Sequence, residues 1–155
     1  MVSAERLFEA HVAVADLKAS VAFYRDVIGL QLAHTTVRPN AAFFWIGARG
    51  RAMLGLWENG GAVHQKQVHL AFAAAIDDVM TAPHSLRSAG ITPLDFNGNP
   101  TDAPVVLGWM PAASIYFRDP DGHLLEYVAM LPDLPRPEWG VVSWYAWQVR
   151  QRGRT

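Results

Sequence analysis

The chain has 155 residues, 51% of them hydrophobic and 17% charged, with a formal net charge of -1 and a pI near 6.6. That length and apolarity suffice for a sizeable core in one domain, while the near-neutral balance supplies no basic footprint for nucleic acid and no polybasic patch for a membrane surface. The sequence has no cysteine, which excludes disulfides, thiolate metal sites and cysteine nucleophiles, and its opening MVSAERLFEA lacks the basic-then-apolar pattern of a leader, so the expected setting is the cytoplasm.

Taken in order, Phe8 to Ala15 is an apolar run broken by Glu9 and His11 and reads as a buried strand. Asp16 is a good N-cap for a helix over about Leu17 to Ile28, whose apolar positions Leu17, Val21, Tyr24 and Ile28 share one face, and Gly29 stops it. Strands are predicted at Leu30 to Thr36, Ala42 to Gly47 and Ala52 to Glu58, with turns at Arg38-Pro39-Asn40 and Ala48-Arg49-Gly50. A linker is predicted from Asn59 to Lys66, starting at Gly60-Gly61. The pattern then repeats. Val68 to Ala75 is a second apolar run with a histidine near its start, Asp77-Asp78 opens a helix, Pro83 should bend it or shorten its start, and Gly90 ends it. A strand is predicted at Ile91 to Phe96, a polar loop around Asn97-Gly98-Asn99-Pro100, and a hairpin from Ser114 to Val128 turning at Asp119-Pro120-Asp121-Gly122. Each half reads βαβββ, an internal duplication.

Strand alternation places His11 with Ala13 and Ala15, and His69 with Ala71 and Ala73, opposite larger apolar residues. Small neighbours leave a core unfilled, so both histidines are expected to border a cavity. Glu126 lies among apolar residues of the last strand and needs a cation such as Arg118, a hydrogen-bond network or a metal. If the halves form one curved sheet, His11, His69 and Glu126 can face one trough, where two neutral imidazoles and one carboxylate suit a divalent ion with open positions. Tyr116 shares a face with Ser114 and Arg118 and either orients a ligand oxygen or packs. His123, beside the turn, is expected to face solvent, and Trp57 and Gly55 to line the cavity, Gly55 leaving room for a substrate. The tail from Pro132 has Pro135 and Pro137 as a stiff connector followed by Trp139, Trp144, Tyr145 and Trp147, an arm that covers an edge, a cavity mouth or a partner.

The duplicated βαβββ, the segment VADLKASVAFYRDVIGL from Val14 to Leu30 and the segment YFRDPDGHLLEY from Tyr116 to Tyr127 resemble the vicinal oxygen chelate superfamily. That group contains glyoxalase I, extradiol dioxygenases, fosfomycin-modifying enzymes and bleomycin-binding proteins. The resemblance covers about residues 6–130. It implies an α+β fold in one domain, residues 1–131, whose two modules (about 6–58 and 68–130) make an open, curved-sheet barrel around a divalent metal, with residues 132–155 as the arm. By match to the motif the metal ligands would be His11, His69 and Glu126, with Glu126 and Tyr116 available for proton work and iron, manganese, nickel or zinc as the ion. It also implies a homodimer, in line with the low charged fraction and the Trp-rich tail.

Branch features differ. The fourth-strand glutamate of glyoxalase I falls here near Gly55, and strand parity sends Glu58 to the opposite face. The extra histidines of extradiol dioxygenases are missing between His84 and His123, and Ala13 stands where fosfomycin enzymes have a threonine. The leading expectation is a metal-dependent, glyoxalase-like lyase or isomerase acting on a small substrate with adjacent oxygens. The alternatives are a dioxygenase-like or fosfomycin-modifying-like enzyme, or a metal-free binder that holds a planar ligand between Trp57 and Trp109.

Overall fold

The computed structural model describes residues 6–59 and 67–153; the expected linker at Gly60-Gly61 and His64 lie outside the described residues. Contacts divide the chain into two units, the first running to Val68 and also taking in Asp119–Gly122, the second comprising His69–Arg118 and the chain from His123 onward. Secondary structure is α+β, and each unit carries one open sheet.

In the first unit the elements are β1 (Glu9–Val14), α1 (Leu17–Asp26), β2 (Gln31–Val37), β3 (Asn40–Ile46) and β4 (Ala52–Glu58), in sheet order β1-β4-β3-β2. β1 runs parallel to β4, and the other neighbours are antiparallel. Asp16 caps α1 as expected, its carboxylate accepting from Ala19 N at 2.9 Å. Gly29 has φ of +79°, the left-handed geometry that closes the helix. Leu17, Ser20 and Tyr24 form the buried stripe of α1, and Val12, Val14, Phe44, Leu54 and Leu56 are buried on the sheet. Burying each large apolar side chain contributes about 1.5–3 kcal/mol.

The turn Asp119–Gly122 does more than reverse the chain. Asp121 accepts from Ala15 N at 2.9 Å and from the Ser20 hydroxyl at 3.2 Å, so a carboxylate from far along the sequence sits at the start of α1. Asp119 accepts from the fully buried Tyr24 hydroxyl at 2.9 Å. Burial, and then the Asp119 carboxylate, push the Tyr24 phenol far above its ordinary range, so it donates at any physiological pH. Tyr24→Phe should leave a buried carboxylate oxygen short of its donor and destabilise the fold by about 1–3 kcal/mol, read as a lowered midpoint in urea. A midpoint equal to the parent's would mean that the hydroxyl carries none of the docking.

The second unit repeats the layout with β5 (His69–Ala73), α2 (Ile76–Ser88), β6 (Val105–Leu107), β7 (Ala112–Arg118) and β8 (Leu124–Met130), and adds β9 (Val141–Ser143), in sheet order β5-β8-β7-β6-β9. β5 is parallel to β8, as β1 is to β4. The helix runs through Pro83 without a shortened start; the ring is buried with Val79, Ala82 and Leu86, so it adds apolar surface to the face that packs.

The strand expected at Ile91 to Phe96 is not formed. Leu94 alone bridges Tyr116, and the chain then leaves the sheet and returns at Val105, which pairs with Ser114. Pro93 lacks a donor, and Asp95 turns the chain by accepting from Asn97 N at 2.8 Å and Asn99 N at 2.9 Å, so ladder hydrogen bonds are replaced by local ones. His123 is a second correction: it is 1% exposed, not solvent-facing. Strand parity at a turn does not report what folds over it.

The arm covers an edge. β9 extends the sheet by pairing antiparallel with β6, which removes an exposed row of β6 backbone groups. After it comes α3 (Trp144–Arg152), capped by the Ser143 hydroxyl accepting from Ala146 N at 3.2 Å. Trp147 is fully buried, donates to Asp133 at 3.0 Å and meets Trp139 edge-on at 5.0 Å, while Arg136 and Arg150 lie against the Trp139 ring. Among the described residues no helix is long and apolar enough to cross a membrane.

Candidate functional site

Register in the second sheet sets Glu126 between Ala71 of β5 and Tyr116 of β7, with His69 two residues before Ala71 on the same face. Ala71 and Ala73 leave that face open beside the histidine. His69 Nε2 stands 2.9 Å from Glu126 Oε2. Glu126 is 4% exposed, and its other oxygen, Oε1, is buried with no hydrogen-bond partner. A buried carboxylate oxygen without a partner is uncommon and costs stability, so it marks a site built for something other than the fold. The Ser114 hydroxyl, on the same face, is also buried and lies beside the Tyr116 phenol.

Tyr116 lies directly across from Glu126 and 6.0 Å from the His69 ring, with exposed Phe96 edge-on at 6.2 Å. Burial raises its phenol well above the ordinary range and the neighbouring Glu126 carboxylate raises it further, with Ser114 pulling the other way. It is a proton holder at neutral pH.

In the first sheet His11 pairs in register with Gly55, and Gly55 with Phe43. The imidazole lies across Gly55: a Cβ there would stand 2.7 Å from His11 Cδ2. The room expected at Gly55 for a substrate is therefore filled by the ring of His11, because the missing side chain is what lets the ring lie flat on the strand. Trp57 at 5.2 Å and Phe43 at 6.1 Å hold it there, and His34 stacks on Phe43 at 6.4 Å. His11 Nε2 is 3.0 Å from Glu9 Oε1, a neighbour that parity alone placed on the same face. Glu58 is on the opposite face, where it accepts from Leu17 N at 2.9 Å and from Asn40 and so helps hold the start of α1; the Leu17 amide, then Asn40, keep its carboxyl below the usual range.

The structure thus brings His69, Glu126 and Tyr116 together in one unit and places His11 with Glu9 in the other. Among the described residues no three His, Asp or Glu side chains gather. The aromatic frame around His11 was legible only for Trp57, since Phe43 and His34 enter through cross-strand register. Glu9 and Phe96 were missed altogether; for Glu9 the signal was its i, i+2 spacing to His11.

The sequence profile of the Glyoxalase/Bleomycin resistance protein/Dioxygenase superfamily matches residues 6–127. The chain belongs to this superfamily. Solved structures agree. An integron cassette protein from the mobile metagenome of the Halifax Harbour sewage outfall is 28% identical with a TM-score of 0.70, over 82% of this chain and 100% of that one. The lactoylglutathione lyase of Agrobacterium tumefaciens is 25% identical with a TM-score of 0.60, over 81% and 94%. The oxidase ChaP-H2 is 27% identical with a TM-score of 0.64, over 81% and 94%. Glyoxalase-superfamily membership therefore spans lyases, dioxygenases and non-enzymatic resistance proteins. Members typically use a divalent metal, and the donor chemistry here fits one: an imidazole nitrogen beside a buried carboxylate with an unpartnered oxygen.

Proposed function

We propose that the chain is a metal-dependent lyase or isomerase of the glyoxalase kind, acting on a small substrate with two adjacent oxygens. The observation that carries this reading is the buried Glu126 carboxylate, held on one oxygen by His69 and left unpartnered on the other. His69 and Glu126 would hold the ion, one neutral imidazole and one carboxylate leaving a charge of about +1. Iron, manganese, nickel and zinc all accept such ligands. When bound, the ion supplies Lewis-acid stabilisation of negative charge on a substrate oxygen.

The remaining work falls to the chain. His69 fixes the Glu126 carboxylate through one oxygen and leaves the other without a hydrogen-bond partner. Tyr116, directly across the strand pair, keeps its proton and is placed to donate a hydrogen bond to a substrate oxygen. Glu126 can accept a proton from one substrate carbon and return it to the neighbouring one, while Tyr116 keeps its own proton and holds a substrate oxygen by a hydrogen bond. Phe96 meets the Tyr116 ring edge-on and offers an apolar contact for a substrate there. We also propose a homodimer, supported by the large apolar side chains left exposed at Trp109, Met130, Leu134 and Tyr145.

A second reading is favoured by the first sheet, where His11, His34, Phe43 and Trp57 form a face of rings suited to a planar ligand. That reading is a metal-free binder of the bleomycin-resistance type. The test is a panel of α-oxoaldehyde thiol adducts, catechols and planar aromatic drugs, assayed for turnover and for binding with and without chelator. The lyase reading expects turnover of an oxygen-bearing substrate that chelator abolishes and added metal restores. Binding of a planar drug that resists chelator, with nothing turned over, would leave the binder.

A further inference from the structure

A cavity of about 470 Å3 opens in the second unit between the turn at residues 95–99, β6 and the arm strand β9, within the range of about 300–1,000 Å3 that small-molecule sites occupy. Phe96, Val105 and Val141 give it apolar walls, and Asp95, Thr101 and Ser143 add polar groups. Two features join it to the face that carries Tyr116 and Glu126. Register pairs Ser143 with Val105 and Val105 with Ser114, so one row of side chains runs from β9 across β6 to the Tyr116 face of β7. Leu94 is tied to Tyr116 by two backbone hydrogen bonds, its amide donating to the Tyr116 carbonyl at 2.7 Å and its carbonyl accepting from the Tyr116 amide at 3.0 Å. Phe96, two residues on, both lines the cavity and meets the Tyr116 ring at 6.2 Å.

We propose that this cavity takes the non-reacting part of the substrate, an apolar group that is uncharged or carries an ammonium, and turns away one that carries a carboxylate or phosphate. The proposal rests on the glyoxalase-like reading above and names the substrate class for it. Phe96 and Val141 are 54% and 38% exposed, apolar surface that such a group would cover. The wall that β9 supplies is an addition of this chain, since the superfamily match ends at residue 127.

Charge selects the ligand. Among the described residues that line the cavity Asp95 alone is charged. Its Oδ1 accepts from the amides of Asn97 and Asn99 at 2.8 and 2.9 Å, while Oδ2 has the Asn99 side-chain amide at 3.4 Å, which leaves room for a stronger donor. These bonds, led by the Asn99 amide, hold the Asp95 carboxyl below the usual carboxylate range, so it is anionic at neutral pH. Arg87 reaches the same loop at the Thr101 carbonyl, at 3.2 Å, but it pairs with Asp102 at 2.7 Å and does not line the cavity.

The test uses full-length protein and three probes with one phenylpropyl body and different ends: 3-phenylpropylamine, 3-phenylpropanol and 3-phenylpropionate. Binding is followed by NMR titration of the backbone amides at low salt. The amine and the alcohol should shift the amides of Phe96, Val105, Val141 and Ser143, and the Kd of the propionate should exceed that of the amine roughly 10-fold. Asp95→Asn, whose side-chain oxygen still accepts from Asn97 and Asn99, should close most of that gap with the turn intact. Val141→Trp, on an edge strand that tolerates a large ring, should fill the cavity and abolish the shifts without lowering the melting temperature. Glu126→Gln should bind the probes as the parent does, because they reach the cavity without an ion. A propionate that binds as tightly as the amine, or probes that bind Val141→Trp as tightly as the parent, would overturn the proposal and leave the metal-dependent reading intact. Failure of every probe, with the same amides protected in a dimer, would overturn it by making the cavity an interface between copies. The expected probe binding in a protein whose melting temperature ignores added metal would uphold the cavity and its charge preference and remove the lyase reading.

Discussion

Replacing Glu126 by Gln should abolish the response of the protein to metal while leaving the metal-free fold in place. The substitution keeps the shape of the side chain and removes its charge, and the neutral amide is a poor ligand for a divalent ion. In the parent, added metal should raise the melting temperature, because an ion that binds only the folded state stabilises it by mass action. In Glu126→Gln that rise should vanish, and turnover should fall on the order of 100-fold or more, the usual scale for loss of a positioned proton-transfer or charge-stabilising group. The metal-free variant should melt at or above the parent's temperature. Glu126 is buried with one oxygen unpartnered, so removing its charge relieves a desolvation cost. Loss of apo stability with an unchanged metal response would make the His69–Glu126 pair a structural contact.

The largest effect on stability should come from Trp147→Ala, at about 3–5 kcal/mol. Trp147 is fully buried, its indole N–H is held by Asp133, and its ring supports Trp139 between two arginines. Truncation leaves a cavity and an unsatisfied carboxylate, and α3 loses its buried anchor. Since β9 pairs with β6, exchange of amide hydrogens should accelerate first across Val105–Leu107 and Val141–Ser143. The measurement is urea unfolding together with hydrogen exchange. A loss under 1 kcal/mol, with those strands as protected as before, would show that the tail is held by its backbone pairing alone.

The alternation that put His11 beside Ala13 and His69 beside Ala71 was readable because strand parity is a property of neighbouring residues, and the structure has those positions exposed, with Val12, Val14 and Phe72 buried behind them. The α1 boundaries were readable for the same reason: Asp16 and Gly29 act on the peptide groups next to them. Ile91 to Phe96 misled because an apolar run states only what could pair, while Pro93 and Asp95 determine what does.

By itself the sequence determined the α+β class, the two βαβββ repeats, the open histidine faces and the superfamily, all of which follow from local periodicity and short motifs. Only the tertiary structure decided which carboxylate each histidine meets, that the His11 ring occupies the space at Gly55, that Asp119 and Asp121 hold α1, that His123 is buried and that the arm becomes a strand. These are cross-strand and long-range contacts. Their partners are chosen by register and by which surfaces are left to cover, quantities that arise when distant segments compete for the same space and that no window of adjacent residues contains.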